Sequence, residues 1–239
     1  MKKGILLGWL ALMMGWAVCA EGKIDEAASA TTDGDTSYAF GMMIGSELKT
    51  LGITFNYNTF MKGMREVLED KNTTLTMDEA VAKVQSAYME AMAKQDEVAI
   101  AKEQSFLAEN AKKPGVQITE SGLQYEIITE GTGEKPGPTA TVSAHYRGAF
   151  VDGTVFDSSY DRGEPMEFPL YAVIPGWSEG VQLMSVGSKY RLYIPSELAY
   201  GAQGGGNVIP AYATLIFDVE LLAIIQNEED TDSESEEWY

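Results

Sequence analysis

The 239-residue chain is 45% hydrophobic, enough for one large or two modest cores, and carries a formal net charge of −19. Such a charge argues against nucleic acid and anionic membrane surfaces as partners and reads first as a solubility property. The single cysteine, Cys19, excludes an internal disulfide framework and a cysteine-based zinc site.

Residues 1–20 read as a signal peptide. Lys2 and Lys3 precede the apolar run GILLGWLALMMGWAV, and Val18-Cys19-Ala20 offers small residues for a cut before Glu21. The run is marginal for a bilayer span, which needs about 20 residues. Cys19 keeps a second route open, lipid attachment after a cut just before it, although Val18 and Trp16 are not the residues that route prefers. Either route places the mature protein outside the cytoplasm, in the periplasm or cell envelope.

Residues 21–36, small, polar and acidic, form an expected flexible lead-in. Residues 37–75 read as a helical segment. One helix begins near Ser37 with Tyr38, Met42 and Gly45 at helical spacing. A second starts near Asn58 and turns Phe60, Met61, Met64, Val67 and Leu68 inward. The Met-rich stripe serves either as core filler or as a seam between two copies, and so small a helical segment calls for a partner to complete its core.

Thr76-Met77-Asp78-Glu79 has the form of a capping box and opens a long helix over residues 76–113. Met77, Val81, Val84, Tyr88, Ala91 and Val98 follow at alternating four-three spacing, and Pro114-Gly115 stops the helix. About 35 residues at 1.5 Å each make a rod of roughly 50 Å. A domain this small cannot bury such a rod along its whole length, so the reading is a helix that pairs at one end and acts as a spacer at the other.

From Leu123 the period becomes two. Leu123, Tyr125 and Ile127 alternate with polar residues, as do Val142, Ala144 and Tyr146, and then Tyr190, Leu192 and Ile194. Val151-Asp152-Gly153-Thr154 reads as a hairpin turn, and Thr214 begins the longest strand. One short helix, entered through Pro175-Gly176, interrupts the strands. The fold class is therefore α+β, with an antiparallel sheet and one helix packed on it over residues 114–226. The acidic tail, residues 227–239, is expected to be disordered.

The glycine-dense stretch AYGAQGGGNVIPAYATLIFDVE invites a phosphate-loop reading, but no lysine follows its glycines and a strand rather than a helix comes next. Conventional catalysts are scarce. The lone histidine, His145, faces away from its apolar neighbours, and a histidine-paired nucleophile or a metal site is hard to assemble. Asp157 can be a turn residue, and no carboxylate pair stands out for hydrolysis. Aromatic residues do stand out. Tyr146, Phe156, Trp177, Tyr200 and Phe217 are each ordinary core candidates, but together they can line an apolar small-ligand pocket. No cofactor or metal is expected.

Three segments carry a family resemblance: VSAHYRGAFVDGTVFDSSYDRGEPMEFPL, VIPGWSEGVQLMSVGSKYRLYIPSELAYG and IPAYATLIFDVELL. Over residues 115–225 the chain closely resembles the FKBP-type peptidyl-prolyl cis-trans isomerases. SYAFGMMIGSEL and FMKGMREVL resemble the dimerisation segment of the Mip-like (macrophage infectivity potentiator) branch, in which interlocked helical segments hold two isomerase domains apart on long helices. The resemblance implies a curved antiparallel sheet around a short helix, with the proline and drug site between them. Trp177 would be the pocket floor, and Tyr146, Phe156, Val173, Ile174, Ile209 and Phe217 its walls. Asp157 and Tyr200 would be polar rim groups, with Arg162 pairing to Asp157 and the Ile174 amide donating to peptide. Tyr146, Asp157, Tyr200 and Phe217 would be catalytic.

Met166 stands where the family often has an aromatic wall, which softens the pocket. Pro175 precedes Gly-Trp in place of a polar residue, without expected consequence. Gly205 and Gly206 replace a bulkier overhang and predict a bare, mobile flap. The implied partners are proline-containing unfolded or exported polypeptides, FK506- or rapamycin-type macrolides, and a second copy through residues 37–100. The alternative is a dimeric chaperone-like module that binds clients and isomerises prolines only weakly.

Overall fold

The computed structural model describes residues 33–225. The expected signal peptide with Cys19, most of the lead-in and the acidic tail lie outside the described residues. The chain divides into two compact units with the boundary between Gln95 and Asp96.

In the first unit, α1 spans Gly34–Thr50 and α2 spans Tyr57–Leu68. α1 starts earlier than its apolar period suggests because Asp33 caps it, accepting from the Thr36 amide at 2.7 Å. Asn56 caps α2 in the same way, through the Thr59 amide. Phe55 and Phe60 meet edge to face, with centroids 5.6 Å apart. No residue of α1 or α2 is buried. Val67 and Leu68, expected inward, are 52% and 77% exposed, so the inward set shrinks to Phe60 and Met64, both only half-buried.

α3 runs over Met77–Asn110. Its start is the expected capping box: Glu79 accepts from the Thr76 amide at 2.9 Å, and Thr76 accepts from the Glu79 amide at 3.3 Å. Met77, Val84 and Val98 along the four-three seam are exposed. The last turns of α3, beyond Asp96, belong to the second unit. Phe106 packs on Tyr193, and the buried Asn110 side chain donates to Gln124, which in turn donates to the Leu107 carbonyl.

The second unit is a sheet of seven strands among the described residues: β1 (Val116–Ile118), β2 (Gln124–Thr129), β3 (Thr141–Phe150), β4 (Val155–Ser158), β5 (Met166–Pro169), β6 (Lys189–Ile194) and β7 (Leu215–Ile225). All pairings are antiparallel. The order is β1-β2-β6-β7-β3-β4, and β5 shares the outer edge of β3 with β4. A single-turn helix, α4 (Ser159–Arg162), follows β4, and α5 (Pro175–Leu183) crosses between β5 and β6.

Alternation puts Val142, Ala144 and Tyr146 of β3, Tyr190, Leu192 and Ile194 of β6, and Leu215, Phe217, Val219 and Leu221 of β7 on one buried face. α5 covers this face with Trp177 and Val181, and Met184, its C-cap, joins them. Gly176 and Gly180, one turn apart, allow the close approach: a Cβ on Gly176 would stand 2.3 Å from Ile194, and one on Gly180 2.6 Å from Leu192. A side chain at either position would lift the helix from the sheet, and with it the indole it carries.

Candidate active site

Between α5 and the concave face of the sheet lies a cavity of about 890 Å³, lined largely by apolar groups. Trp177, the first-turn residue of α5, is 5% exposed and forms its floor. Three rings meet the indole edge-on, Tyr146 at 5.4 Å, Phe217 at 5.4 Å and Phe168 at 4.9 Å between centroids. Phe156 stands edge-on to Phe217 at 5.5 Å. Interlocked edge-to-face rings hold one another in place and give the pocket rigid walls. Val173 and Ile174, which lead into α5, add aliphatic surface, as does Ile209 opposite.

One polar chain crosses the rim. The Tyr146 hydroxyl donates to Asp157 Oδ2 at 2.5 Å and accepts from Arg162 Nη2 at 2.7 Å. Arg162 Nη1 donates to Asp157 Oδ1 at 2.5 Å, and its guanidinium also lies over the Tyr146 ring. Local structure sets this up. Asp157 is in β4, Ser158 caps α4 through the Asp161 amide, and the single turn of α4 brings Arg162 back to Asp157. Gly163, with φ 82°, then ends the turn. The turn-residue alternative for Asp157 therefore fails, because its neighbour Ser158 does the capping.

Burial alone would raise the Asp157 carboxyl, but the hydrogen bonds from Tyr146 and Arg162 outweigh it and hold the group below its ordinary 3.8. Burial and the neighbouring carboxylate push the Tyr146 hydroxyl above its ordinary 10.0. The rim is thus an ion pair tied to a neutral phenol across the neutral range. It offers fixed dipoles rather than a general acid or base.

Met166 supplies a soft wall whose sulfur accepts from Arg162 at 3.0 Å and lies 3.3 Å from the Tyr146 hydroxyl. Tyr200, 44% exposed, lines the opposite rim. The flap that follows it is less bare than its glycines suggest. Gly205 and Ile209 exchange two backbone hydrogen bonds, at 2.9 and 3.0 Å, and the Tyr212 amide donates to the Gly201 carbonyl. A Cβ on Gly204, where φ is +64°, would stand 2.4 Å from the Ile209 carbonyl oxygen, and one on Gly205 would stand 3.1 Å from Tyr200. Gly204 and Gly205 permit close backbone approach within a hydrogen-bonded loop, whereas a Cβ on Gly206 would meet nothing within 4 Å, so the overhang is absent there as expected.

All eleven site residues anticipated from the sequence line this pocket or, for Arg162, pair with a group that does. Three contributors were missed. Phe168 sits on short β5, where alternation is too brief to read. Gly148 of β3 lies under the walls, where a Cβ would come within 2.7 Å of both Phe156 and Phe217. Buried Ser159 accepts from the Tyr146 amide at 2.8 Å and fixes the backbone that presents the phenol. His145 accordingly turns away from the pocket to stack on Tyr160, 4.6 Å between centroids.

Comparison with known proteins agrees with this geometry. Residues 132–222 match the family described as FKBP-type peptidyl-prolyl cis-trans isomerase, and residues 33–127 match the domain described as amino terminal to it. The chain is 45% identical over 223 residues to an FKBP-type peptidyl-prolyl cis-trans isomerase FkpA of Aeromonas hydrophila, covering 87% of this chain and 82% of that one. It is 39% identical over 222 residues to an outer membrane protein MIP of Legionella longbeachae, covering 90% and 95%. The crystal structure of FkpA from Escherichia coli superposes with a TM-score of 0.65 at 36% identity, covering 82% of this chain and 98% of that chain. The chain belongs to the family of FKBP-type peptidyl-prolyl cis-trans isomerases.

Proposed function

We propose that this chain accelerates X-Pro isomerisation in exported polypeptides by binding the twisted amide more tightly than the planar one. The observation that carries the reading is an aromatic pocket whose one lining carboxylate, Asp157, is tied up in an ion pair with Arg162 at the rim. Isomerisation is opposed by amide resonance, a barrier of roughly 18–20 kcal/mol, and breaks no covalent bond. A twisted amide has lost conjugation and its carbonyl is less polar, so an apolar pocket disfavours it less than the planar form. Trp177, Phe217 and Phe156 supply the apolar contact for the prolyl ring. The Tyr200 hydroxyl and the Ile174 amide are the donors assigned to the peptide, and each ~1.4 kcal/mol of preference for the twisted state gives about tenfold in rate. Macrolides of the FK506 or rapamycin type, which present a ring and carbonyls to such a pocket, are the expected inhibitors.

The test is a prolyl-peptide isomerisation assay on the wild type, Asp157→Ala and Tyr200→Phe. Catalysis that both variants lower supports the reading. A wild type without catalysis that still suppresses client aggregation moves the assignment to a chaperone-like binding module.

The first unit supports a dimer. Phe40, Met42 and Met43 of α1 are 58–63% exposed, and a groove of about 700 Å³ between α1 and α2 is lined by Phe40, Ile44, Leu48, Phe60 and Met64. Two helices without a buried residue gain a core by packing against a second copy. Expected placement in the periplasm or envelope rests on residues 1–20. Light scattering of the mature chain, expected to give twice the monomer mass, and mass spectrometry of its N-terminus test these points.

A further inference from the structure

We infer that Glu103, on α3, is a positioning residue for the active-site flap. The flap, residues 196–214, leaves the sheet after β6 and rejoins it at β7, where Ile194 and Leu215 are paired. It carries Tyr200, Gly205 and Ile209 to the pocket. Glu103 joins both of its ends: Oε1 accepts from the Ser196 amide at 2.5 Å and from the Thr214 hydroxyl at 3.3 Å, and Oε2 accepts from the Ser196 hydroxyl at 2.8 Å. Ser196 is 2% and Thr214 4% exposed, so three donors leave water and converge on one carboxylate.

The helix here does more than lead into the domain. Without Glu103 the buried Ser196 amide and two hydroxyls lose their acceptor, and the flap keeps its internal backbone hydrogen bonds, among them those at Gly205, Ile209 and Tyr212. Fixing both ends of a loop lowers the entropy of the groups it carries before substrate arrives. Tyr200 is the group that gains, because its hydroxyl must meet a twisted amide at one place. This inference rests on the reading of Tyr200 as a donor to the peptide.

The experiment compares full-length wild type, Glu103→Ala, Glu103→Gln, Tyr200→Phe and Gln124→Ala, the last as a control that frees the end of α3 from β2 without touching the flap. Three quantities are read: isomerisation of a short X-Pro peptide with kcat and KM separated, amide hydrogen exchange over residues 199–213, and melting temperature. Glu103→Ala is expected to lower kcat/KM about tenfold, with the loss mainly in kcat, because the lost interaction belongs to the transition state. Flap exchange accelerates in parallel. Glu103→Gln keeps an acceptor oxygen for the Ser196 amide and loses about threefold. Gln124→Ala lowers the melting temperature and leaves activity and flap exchange unchanged.

If Glu103→Ala fails to fold, the Glu103→Gln result decides. Flap exchange at the wild-type rate overturns the clamp whatever the activity. A loosened flap with unchanged kcat/KM overturns the positioning role, and Tyr200→Phe then separates the causes. Where Tyr200→Phe is also fully active, the reading of Tyr200 has failed; where it is slow, only the role of Glu103 has.

Discussion

The Tyr146 hydroxyl lies 2.5 Å from Asp157 Oδ2 while also accepting from Arg162, so a phenol on β3 and a carboxylate on β4 share one cation. Removing one member leaves the other two repairing their bonds with water at a half-exposed rim. We therefore expect Asp157→Ala and Tyr146→Phe each to lower kcat/KM on the order of tenfold, and the double variant to fall little further. Additive losses in a double-mutant cycle would mean that the two groups act separately.

The same chain fixes the pH dependence. The folded pKa of Asp157 lies below 3.8, so its contribution is present above that value and is lost as pH falls through the lowered pKa. Tyr146 is raised above 10.0; its contribution is complete below 10.0 and is lost as pH rises through the raised pKa. The catalysed rate is therefore expected to be flat between about pH 5 and 9. His145, the one histidine, stacks on Tyr160 outside the pocket. An inflection between these limits in a profile of kcat/KM would contradict the assignment of the rim.

The pocket was legible because its aromatic groups sit where period-two alternation or a helix start turns them inward: Tyr146 and Phe217 on strands, Trp177 behind Pro175. Groups whose role depends on distant partners were not. Asn110 and Gln124 are polar and read as surface, yet they are buried because each is the other's hydrogen-bond partner. Gly148 reads as a weak strand residue until the rings of Phe156 and Phe217 are placed over it. Nothing local in the sequence of α3 marks Glu103 among its acidic neighbours, since its donors come from the far end of the sheet domain.

Gly148 yields a test of the walls that leaves every polar group in place. An added methyl at Gly148 would meet Phe156 and Phe217 at 2.7 Å, closer than real side chains tolerate, and both rings must move. Gly148→Ala is expected to lower kcat/KM about tenfold and to weaken macrolide binding, with Asp157 and Tyr200 untouched. Wild-type activity in this variant would show that ring placement does not limit catalysis.

Trp177 combines floor and core. Trp177→Ala removes a ring that three others meet edge-on and is expected to cost about 3–5 kcal/mol. Its indole Nε1 is buried without a hydrogen-bond partner, so Trp177→Phe removes an unsatisfied donor along with part of the packing. Urea denaturation is expected to find Trp177→Phe clearly more stable than Trp177→Ala. Equal losses would mean that a phenyl ring recovers none of the indole's packing, and that ring area alone does not account for the floor's contribution.

The last turns of α3 decide where the isomerase domain can be cut. Phe106 covers Tyr193 on the sheet face opposite the pocket, Gln124 takes its partners from Leu107 and Asn110, and Glu103 joins Ser196 to Thr214. A fragment starting at Gly115 loses all of these, while one starting at Asp96 keeps them. Burial of Phe106 together with the polar contacts is worth about 2–4 kcal/mol. The shorter fragment is therefore expected to melt roughly 10 °C lower and to turn over X-Pro peptides more slowly. Both fragments lack α1 and α2 and are expected to be monomeric. Equal melting temperatures in calorimetry would show that the sheet and α5 are sufficient by themselves, and that the end of α3 is only a tether.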